Sequence, residues 1–434
     1  MSALRWAIRG ALNTLDPATR TRLLDRRGLP DRSRQAATAA ILERVRTEGD
    51  AALRALAAEF DRVTLDALEV PRAEWERALN ALPAATRSAL ERAAENIREV
   101  HTAFRPLERR ITTRDGVTIT RRPDALGAVG VYAPGGRAAY PSSVLMGVVP
   151  AAVAGVREII VSSPPSPNGL PTDVVLAAAA IGGATRVFAL GGAGAIGAMA
   201  FGTASVPAVD RIVGPGNAWV AEAKAQVASV VAIDAPAGPS ELLIIADERA
   251  NAERLARELL AQAEHDPEAA VVLLATSEAL IEATTEALER QLAVAPRAEV
   301  ARAAIEVNGA ALVVSSIAEA IGAANAWAAE HLLVACAGVE QVIAELRDVG
   351  TVFYGDAASV AFGDYATGAN HVLPTAGLAR SYSGLSTVDF YRWTTLQEID
   401  RAAAARLSAD VAVLADAEGL PAHAAAARAW GTDA

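Results

Sequence analysis

Four short polar stretches hold the residue types that could do chemistry. They are Gln262-Ala-Glu-His265, Glu330-His331, the run GDYATGANHVLPTAG from Gly363 to Gly377, and Glu418 to His423. The chain has only five histidines, and four of them (His265, His331, His371 and His423) fall in these stretches. An adjacent carboxylate and imidazole, as in Glu330-His331, can work as an acid/base unit. Imidazole titrates near neutrality, and a carboxylate beside it tunes it or polarises a water. A solvent-facing loop pair is the plainer alternative. Gln262 and His265 lie three apart on one face at the end of an expected helix. Neither H-E-x-x-H nor C-x-x-C occurs, so local spacing is a weak zinc signal, and a capping histidine beside a surface glutamine is the bland reading of this pair. The concentration of histidines in the four patches is what points to one divalent metal and one proton-transfer site. His101, in a charged helical segment, reads as structural and without a partner.

The elements that must position these residues follow from the texture of the chain. Residues 1 to roughly 110 read as helical, with charged residues alternating among Ala and Leu. From Gly127 onward strands alternate with helices, which implies βαβ units and a parallel sheet. Ligands in such sheets bind at the carboxyl ends of the strands, where the glycine loops lie. Gly192-Ala-Gly194-Ala-Ile-Gly197 fits G-x-G-x-x-G after an expected strand, with Asp210 eighteen residues past the first glycine. Such patterns arise readily in Gly/Ala-rich chains. Gly135-Gly136 and Gly214-Pro-Gly216-Asn217 are equal candidates for backbone approach to a phosphate. A second strand–helix series follows from AGPSELLIIAD, read as a strand-pair region, to TVFYGD. It hints at an internal duplication without a strict repeat. After Ser383 the chain reads as short and helical.

Length and composition narrow the class. At 434 residues two or more domains are expected. Hydrophobic content of 52% with 21% charged residues suits a soluble globular protein, and a net charge of −11 repels a phosphate-backbone partner, so no nucleic acid is expected. The single cysteine, Cys336, excludes an intrachain disulfide. Val187 to Val209 carries no charge, but its glycines and Pro207 break it into strand, turn and buried helix rather than a membrane span. A cytoplasmic location is expected.

With these residues assembled, the chain resembles the histidinol dehydrogenases over nearly its whole length. VGPGNAWVAEAK, DAPAGPSELLIIAD, QAEHDPEA, EHLLVA, GDYATGANHVLPT, SGLSTVDF and EGLPAH stand in that family's order and spacing. The resemblance implies that Gln262, His265, Asp364 and His423 are zinc ligands, with one Zn2+ per subunit. It implies that Glu330 activates water and that His331 is the general base. Ser240, Gln262, His265, His331, Asp364, Glu418 and His423 would line the substrate site, and Tyr132, Gly194 and Asn217 would contact NAD. Glu418 and His423 would come from the partner subunit of a homodimer with shared active sites. The reaction implied is the four-electron oxidation of L-histidinol to L-histidine through bound L-histidinal, in histidine biosynthesis. Departures from the family pattern are Gly194 where Gln is common, Ala152 where a basic residue is common, Trp327-Ala-Ala329 before Glu330, and a shortened segment between Gln226 and Asp234. Alternatives are a sister dehydrogenase acting on another small alcohol such as a sulfonated diol, a zinc hydrolase in which Glu330 activates water, and a catalytically silent scaffold.

The expected fold class is α/β, with two Rossmann-like parallel-sheet domains, a small helical N-terminal arm and a C-terminal dimerisation domain. The arm is placed at 1–25. The first α/β domain, carrying the metal and acid/base residues, is discontinuous at 26–126 and 237–382. The second, NAD-binding, is placed at 127–236, and the C-terminal helical domain at 383–434.

Overall fold

The computed structural model describes residues 4–25, 31–135, 139–236 and 238–431. Its strands in chain order are β1 (Ile8–Ala11), β2 (Arg109–Thr112), β3 (Thr118–Ala125), β4 (Ala128–Tyr132), β5 (Glu158–Ser163), β6 (Arg186–Ala189) and β7 (Arg211–Val213). They continue as β8 (Ala232–Ile233), β9 (Glu241–Ala246), β10 (Ala270–Ala275), β11 (Ala310–Val313), β12 (His331–Ala335), β13 (Thr351–Tyr354) and β14 (Tyr391–Glu398). Runs such as ELLIIA and AVVLLA are buried on both faces, so they show no polar alternation and need helices on either side.

Two parallel sheets result. One runs β6-β5-β4-β7-β8; the other runs β1-β11-β10-β9-β12-β13. Counted from the first strand of its own series, each has the order 3-2-1-4-5, and β1 is an added edge on the second. The shared order is the arrangement an internal duplication would leave, as the sequence hinted without a repeat. In both sheets the strand order reverses beside the central first strand, which is where a crevice forms. In the six-stranded sheet the carboxyl end of that crevice holds Asp247, 8% exposed. Its Oδ1 accepts from the Arg249 N–H at 3.0 Å and its Oδ2 from the Ala337 N–H at 2.8 Å.

Several expectations are corrected. The N-terminal arm is not purely helical: Ile8–Ala11 pairs in parallel with β11 and completes the six-stranded sheet. The helices between Arg32 and Ala103 do not share the core of the 237–382 unit. Leu42, Val45, Leu53, Leu56, Trp75, Leu90 and Ile97 pack in one core with the strands of the five-stranded sheet. An apolar helix stripe says that a helix docks but not on which sheet, and that choice is made by long-range packing. The C-terminal region is not wholly helical either. β14 pairs along eight residues with β3, and β2 completes a three-stranded antiparallel ribbon. Its residues are mostly exposed, so no period-2 apolar pattern announces it. AGPSELLIIAD forms one strand rather than a pair. The uncharged Val187–Val209 stretch folds as β6 and the ten-residue helix Gly192–Phe201, and no described helix is long and apolar enough to cross a membrane.

Candidate active site

The two sheets meet across a cleft of about 590 Å3 with opposite polarity. The five-stranded sheet offers its carboxyl ends: Tyr132 closes β4, and Gly214–Asn217 follows β7. The six-stranded sheet offers its amino ends: Ser240 precedes β9, Glu330 precedes β12 and His331 is its first residue. The carboxyl-end rule thus holds for the glycine loops and fails for the acid/base pair.

Glu330 and His331 are each 4% exposed. The helix Ile317–Trp327 ends at Ala328 in a left-handed conformation (φ 55°), which turns the chain into β12 with both side chains facing inward. His331 Nδ1 donates to the Glu241 carbonyl oxygen at 3.0 Å and lies 3.3 Å from Glu330 Oε2. The same Oε2 accepts from the Glu241 N–H at 2.7 Å. His331 Nε2 faces Asp364 Oδ1 at 3.7 Å. Burial alone would push the imidazole down, but the Glu330 carboxylate, and after it Asp364, outweighs burial, and the group is pushed up to about 9.

Asp364 sits in the last turn of the short helix Val360–Tyr365, where a loop was expected. His371 follows in the irregular stretch; its Nδ1 donates to the Asp364 carbonyl oxygen at 2.8 Å, and its Nε2 lies 3.3 Å from Ser143 Oγ, on the other unit. Burial pushes His371 below its ordinary value.

Gln262 sits in the last turn of the helix Ala252–Ala263, which buries Leu255, Ala256, Leu259 and Gln262 along one stripe. Gln262 is 2% exposed, and its amide nitrogen has no hydrogen-bond partner. A buried amide without a partner is costly unless something else takes it. His265 lies just past the helix, and its Nδ1 donates back to the Ala261 carbonyl oxygen at 2.9 Å. That bond fixes the tautomer and leaves Nε2 as the lone-pair nitrogen, the usual arrangement of a metal-binding histidine. Gln262, His265 and Asp364 all line the cleft. Among the described residues no group of three His, Cys, Asp or Glu could hold a metal. One amide, one imidazole and one carboxylate on a single chain fit a zinc set that lacks its fourth ligand.

Glu418 and His423 are not brought to the cleft. They lie exposed around the turn between the helices Arg401–Ala417 and Pro421–Arg428. Tyr132 and Asn217 are at the cleft. The Tyr132 hydroxyl accepts from the Gly192 N–H at 3.1 Å, and burial pushes the phenol up to about 12. Asn217 Oδ1 caps its helix by accepting from the Trp219 and Val220 N–H groups at 3.0 and 3.1 Å. Gly194 is buried away from the cleft; a Cβ there would lie 3.0 Å from Leu56 Cδ1. At Gly197 a Cβ would meet Leu42 and Val45, and Asp210 accepts from the N–H groups of Gly127 and Ala128 at 2.8 and 3.0 Å. Gly194 and Gly197 therefore serve helix packing, and Asp210 holds a loop. Of the departures, Ala152 is exposed on the helix Pro141–Ala154, also outside the cleft. Gly136 lies outside the described residues. His101 is structural as expected but has a partner. Its Nδ1 accepts from the Thr387 N–H at 3.2 Å, and the Thr387 hydroxyl donates to the His101 carbonyl at 2.9 Å.

Sequence reasoning missed Glu241, whose backbone holds both Glu330 and His331. A lone carboxylate opening an otherwise apolar strand was the signal available. Ser143, Tyr140, Trp219 and Thr375 also line the cleft, and nothing in their local sequence distinguishes them.

A family model described as Histidinol dehydrogenase matches residues 24–430. Histidinol dehydrogenase of Halobacterium salinarum is 49% identical over 416 residues, covering 96% of this chain and 97% of that protein. Histidinol dehydrogenase of Bordetella parapertussis is 45% identical over 428 residues, 97% of each chain. The crystal structure of histidinol dehydrogenase from Elizabethkingia anophelis superposes with a TM-score of 0.94 at 33% identity, covering 99% of both chains. The two-sheet α/β fold, the cleft with its buried acid/base pair and these relatives define an oxidoreductase. The chain belongs to the histidinol dehydrogenase family.

Proposed function

We propose that the protein oxidises L-histidinol to L-histidine through L-histidinal, in histidine biosynthesis, with zinc and NAD. The observation that carries this reading is the shared cleft. One face presents Glu330, His331, Gln262, His265 and Asp364, and the other presents Tyr132 and the Gly214–Asn217 loop. Gln262, His265 and Asp364 would hold the zinc, with His423 of a second subunit as fourth ligand. When bound, zinc would grip the substrate's amine and imidazole nitrogens and so orient it, and NAD would accept the hydride.

The chain's own residues supply the proton chemistry. His331 Nε2 takes the hydroxyl proton as the alcohol carbon is oxidised to the aldehyde. Glu330 then takes a proton from the water that adds to the aldehyde carbon, forming the hydrate. Protonated His331 returns its proton to the former carbonyl oxygen, which frees it to take one hydroxyl proton of the hydrate in the second oxidation, and the remaining acid proton leaves to solvent as the carboxylate forms. With its pKa at about 9 the imidazole holds a proton at neutrality, so positive charge placed at Asp364 favours the base form that the first step needs.

The shared-site homodimer is part of the same reading. Glu418 and His423 stand on an exposed hairpin whose Val413 and Leu414 are 66% and 65% exposed, an apolar surface suited to a second copy. The test is NADH production from L-histidinol, with and without a chelator. Two NADH per histidinol, lost on chelation and restored by zinc, are expected. No NADH from histidinol by protein that binds zinc and NAD would overturn the substrate assignment.

A further inference from the structure

Behind the Gly214–Asn217 loop lies a buried ion pair that the reaction does not use. Lys224, on the helix Ala218–Val227, is 2% exposed, and its ammonium contacts the Asp234 carboxylate just past β8. Both groups grip the same residue: Asp234 Oδ2 accepts from the Gly214 N–H at 2.8 Å, and Lys224 Nζ donates to the Gly214 carbonyl oxygen at 3.1 Å. Gly214 has φ +113°, and a Cβ there would lie 2.1 Å from the Tyr132 carbonyl oxygen. The loop is therefore pressed onto the end of β4 in a backbone conformation open to glycine alone. A buried ion pair is an expensive way to hold a loop, because desolvation offsets most of its attraction. What the pair adds over apolar packing is direction, since it fixes both the N–H and the C=O of one peptide position.

We propose that Lys224 and Asp234 are positioning residues for the nicotinamide nucleotide. By clamping Gly214 they hold Pro215, Gly216 and Asn217 at the height where the cleft receives the cofactor. The proposal rests on the reading above that this loop faces NAD.

The test is the double variant Lys224→Met/Asp234→Leu, which removes both charges and leaves neither buried alone. Its melting temperature should fall by only a few degrees, because neither charge is left buried alone while the Gly214 N–H and C=O lose these partners. Its KM for NAD should rise about tenfold or more while kcat and the KM for the alcohol change little. NAD binding should weaken in parallel in a tryptophan-fluorescence titration, to which Trp219 contributes from the cleft beside Asn217. A native KM and a native titration in the stable double variant would overturn the proposal, as would a joint rise of both KM values. Should the double variant be insoluble, Lys224→Met/Asp234→Asn serves instead, neutral at both positions and still able to accept from the Gly214 N–H. It should raise the KM for NAD a few-fold, and an unchanged value would overturn the clamp. The titration needs no turnover, so failure of histidinol oxidation in the parent would count against the substrate reading and not against the clamp.

Discussion

His331 Nδ1 donates to the main-chain carbonyl of Glu241 at 3.0 Å. A carbonyl oxygen can only accept, so this bond fixes the proton on Nδ1 and leaves Nε2, 3.7 Å from Asp364 Oδ1, as the ring nitrogen open to a further proton. Replacing His331 by Asn should lower kcat for histidinol by about 10²–10⁴, the usual worth of a positioned general base. Zinc content should stay native. The check is turnover alongside metal analysis, and a loss of zinc in step with activity would contradict the assigned role.

Glu330 is the strongest upward influence on His331. Glu330→Gln should therefore lower the imidazole's pKa. The base form is the deprotonated one, so the rising limb of the rate–pH profile for histidinol to histidinal should move to lower pH. Oxidation of the aldehyde should fall by about 10²–10⁴ in the same variant, because water activation is lost. Separate assays on the alcohol and the aldehyde distinguish the two effects.

His265→Ala removes an imidazole whose free nitrogen is set up by its bond to Ala261. Zinc affinity should drop by more than the roughly 10–100-fold that loss of an outer-shell partner costs. Competition with a chromogenic chelator measures this directly, and undiminished affinity would remove His265 from the ligand set.

Neither Glu418 nor His423 reaches the cleft of its own chain. His423→Ala and Glu330→Ala should each be inactive alone. Mixed after subunit exchange, they should regain activity, since one of the two sites in a mixed dimer carries both native residues. Absence of rescue in demonstrated mixed dimers would argue against shared sites.

His101 gives a prediction about stability. Burial pushes it down to about 4 from 6.5, and its Nδ1 is committed as an acceptor from Thr387. Between pH 6.5 and 4 the unfolded chain binds the proton that the folded chain refuses, so stability should fall as the pH drops through that window. Urea midpoints measured across it should show the decline. His101→Asn, which keeps an acceptor but cannot titrate, should flatten it by up to one proton.

Sequence and structure agree most closely where chemistry and local pattern coincide. The helix Ile317–Trp327 and strand His331–Ala335 stand where the periodicity places them, and Gln262, His265, Glu330, His331 and Asp364 do share a cleft. What could not be read depended on distant parts of the chain. The docking of the helices between Arg32 and Ala103 onto the five-stranded sheet is decided by contacts such as Leu42 and Val45 against Gly197. The ribbon of β2, β3 and β14 joins residues almost three hundred apart, with little apolar signal. Gly192 to Gly197 misleads for a simple reason: small residues permit close helix packing as readily as they permit a phosphate.

The duplicated strand order has one further effect, visible at Asp247. In the five-stranded unit the crevice beside the central strand opens to the cleft, bordered by the Gly214 loop. In the six-stranded unit the matching crevice holds the Asp247 carboxylate, which already takes the amide hydrogens of Arg249 and Ala337. A phosphate arriving there would meet like charge and find those donors taken. The second sheet thus fills with its own carboxylate the place that the first leaves open to the cleft. Closed at that rim, the same sheet meets the cleft only from its opposite rim, with Ser240, Glu330 and His331.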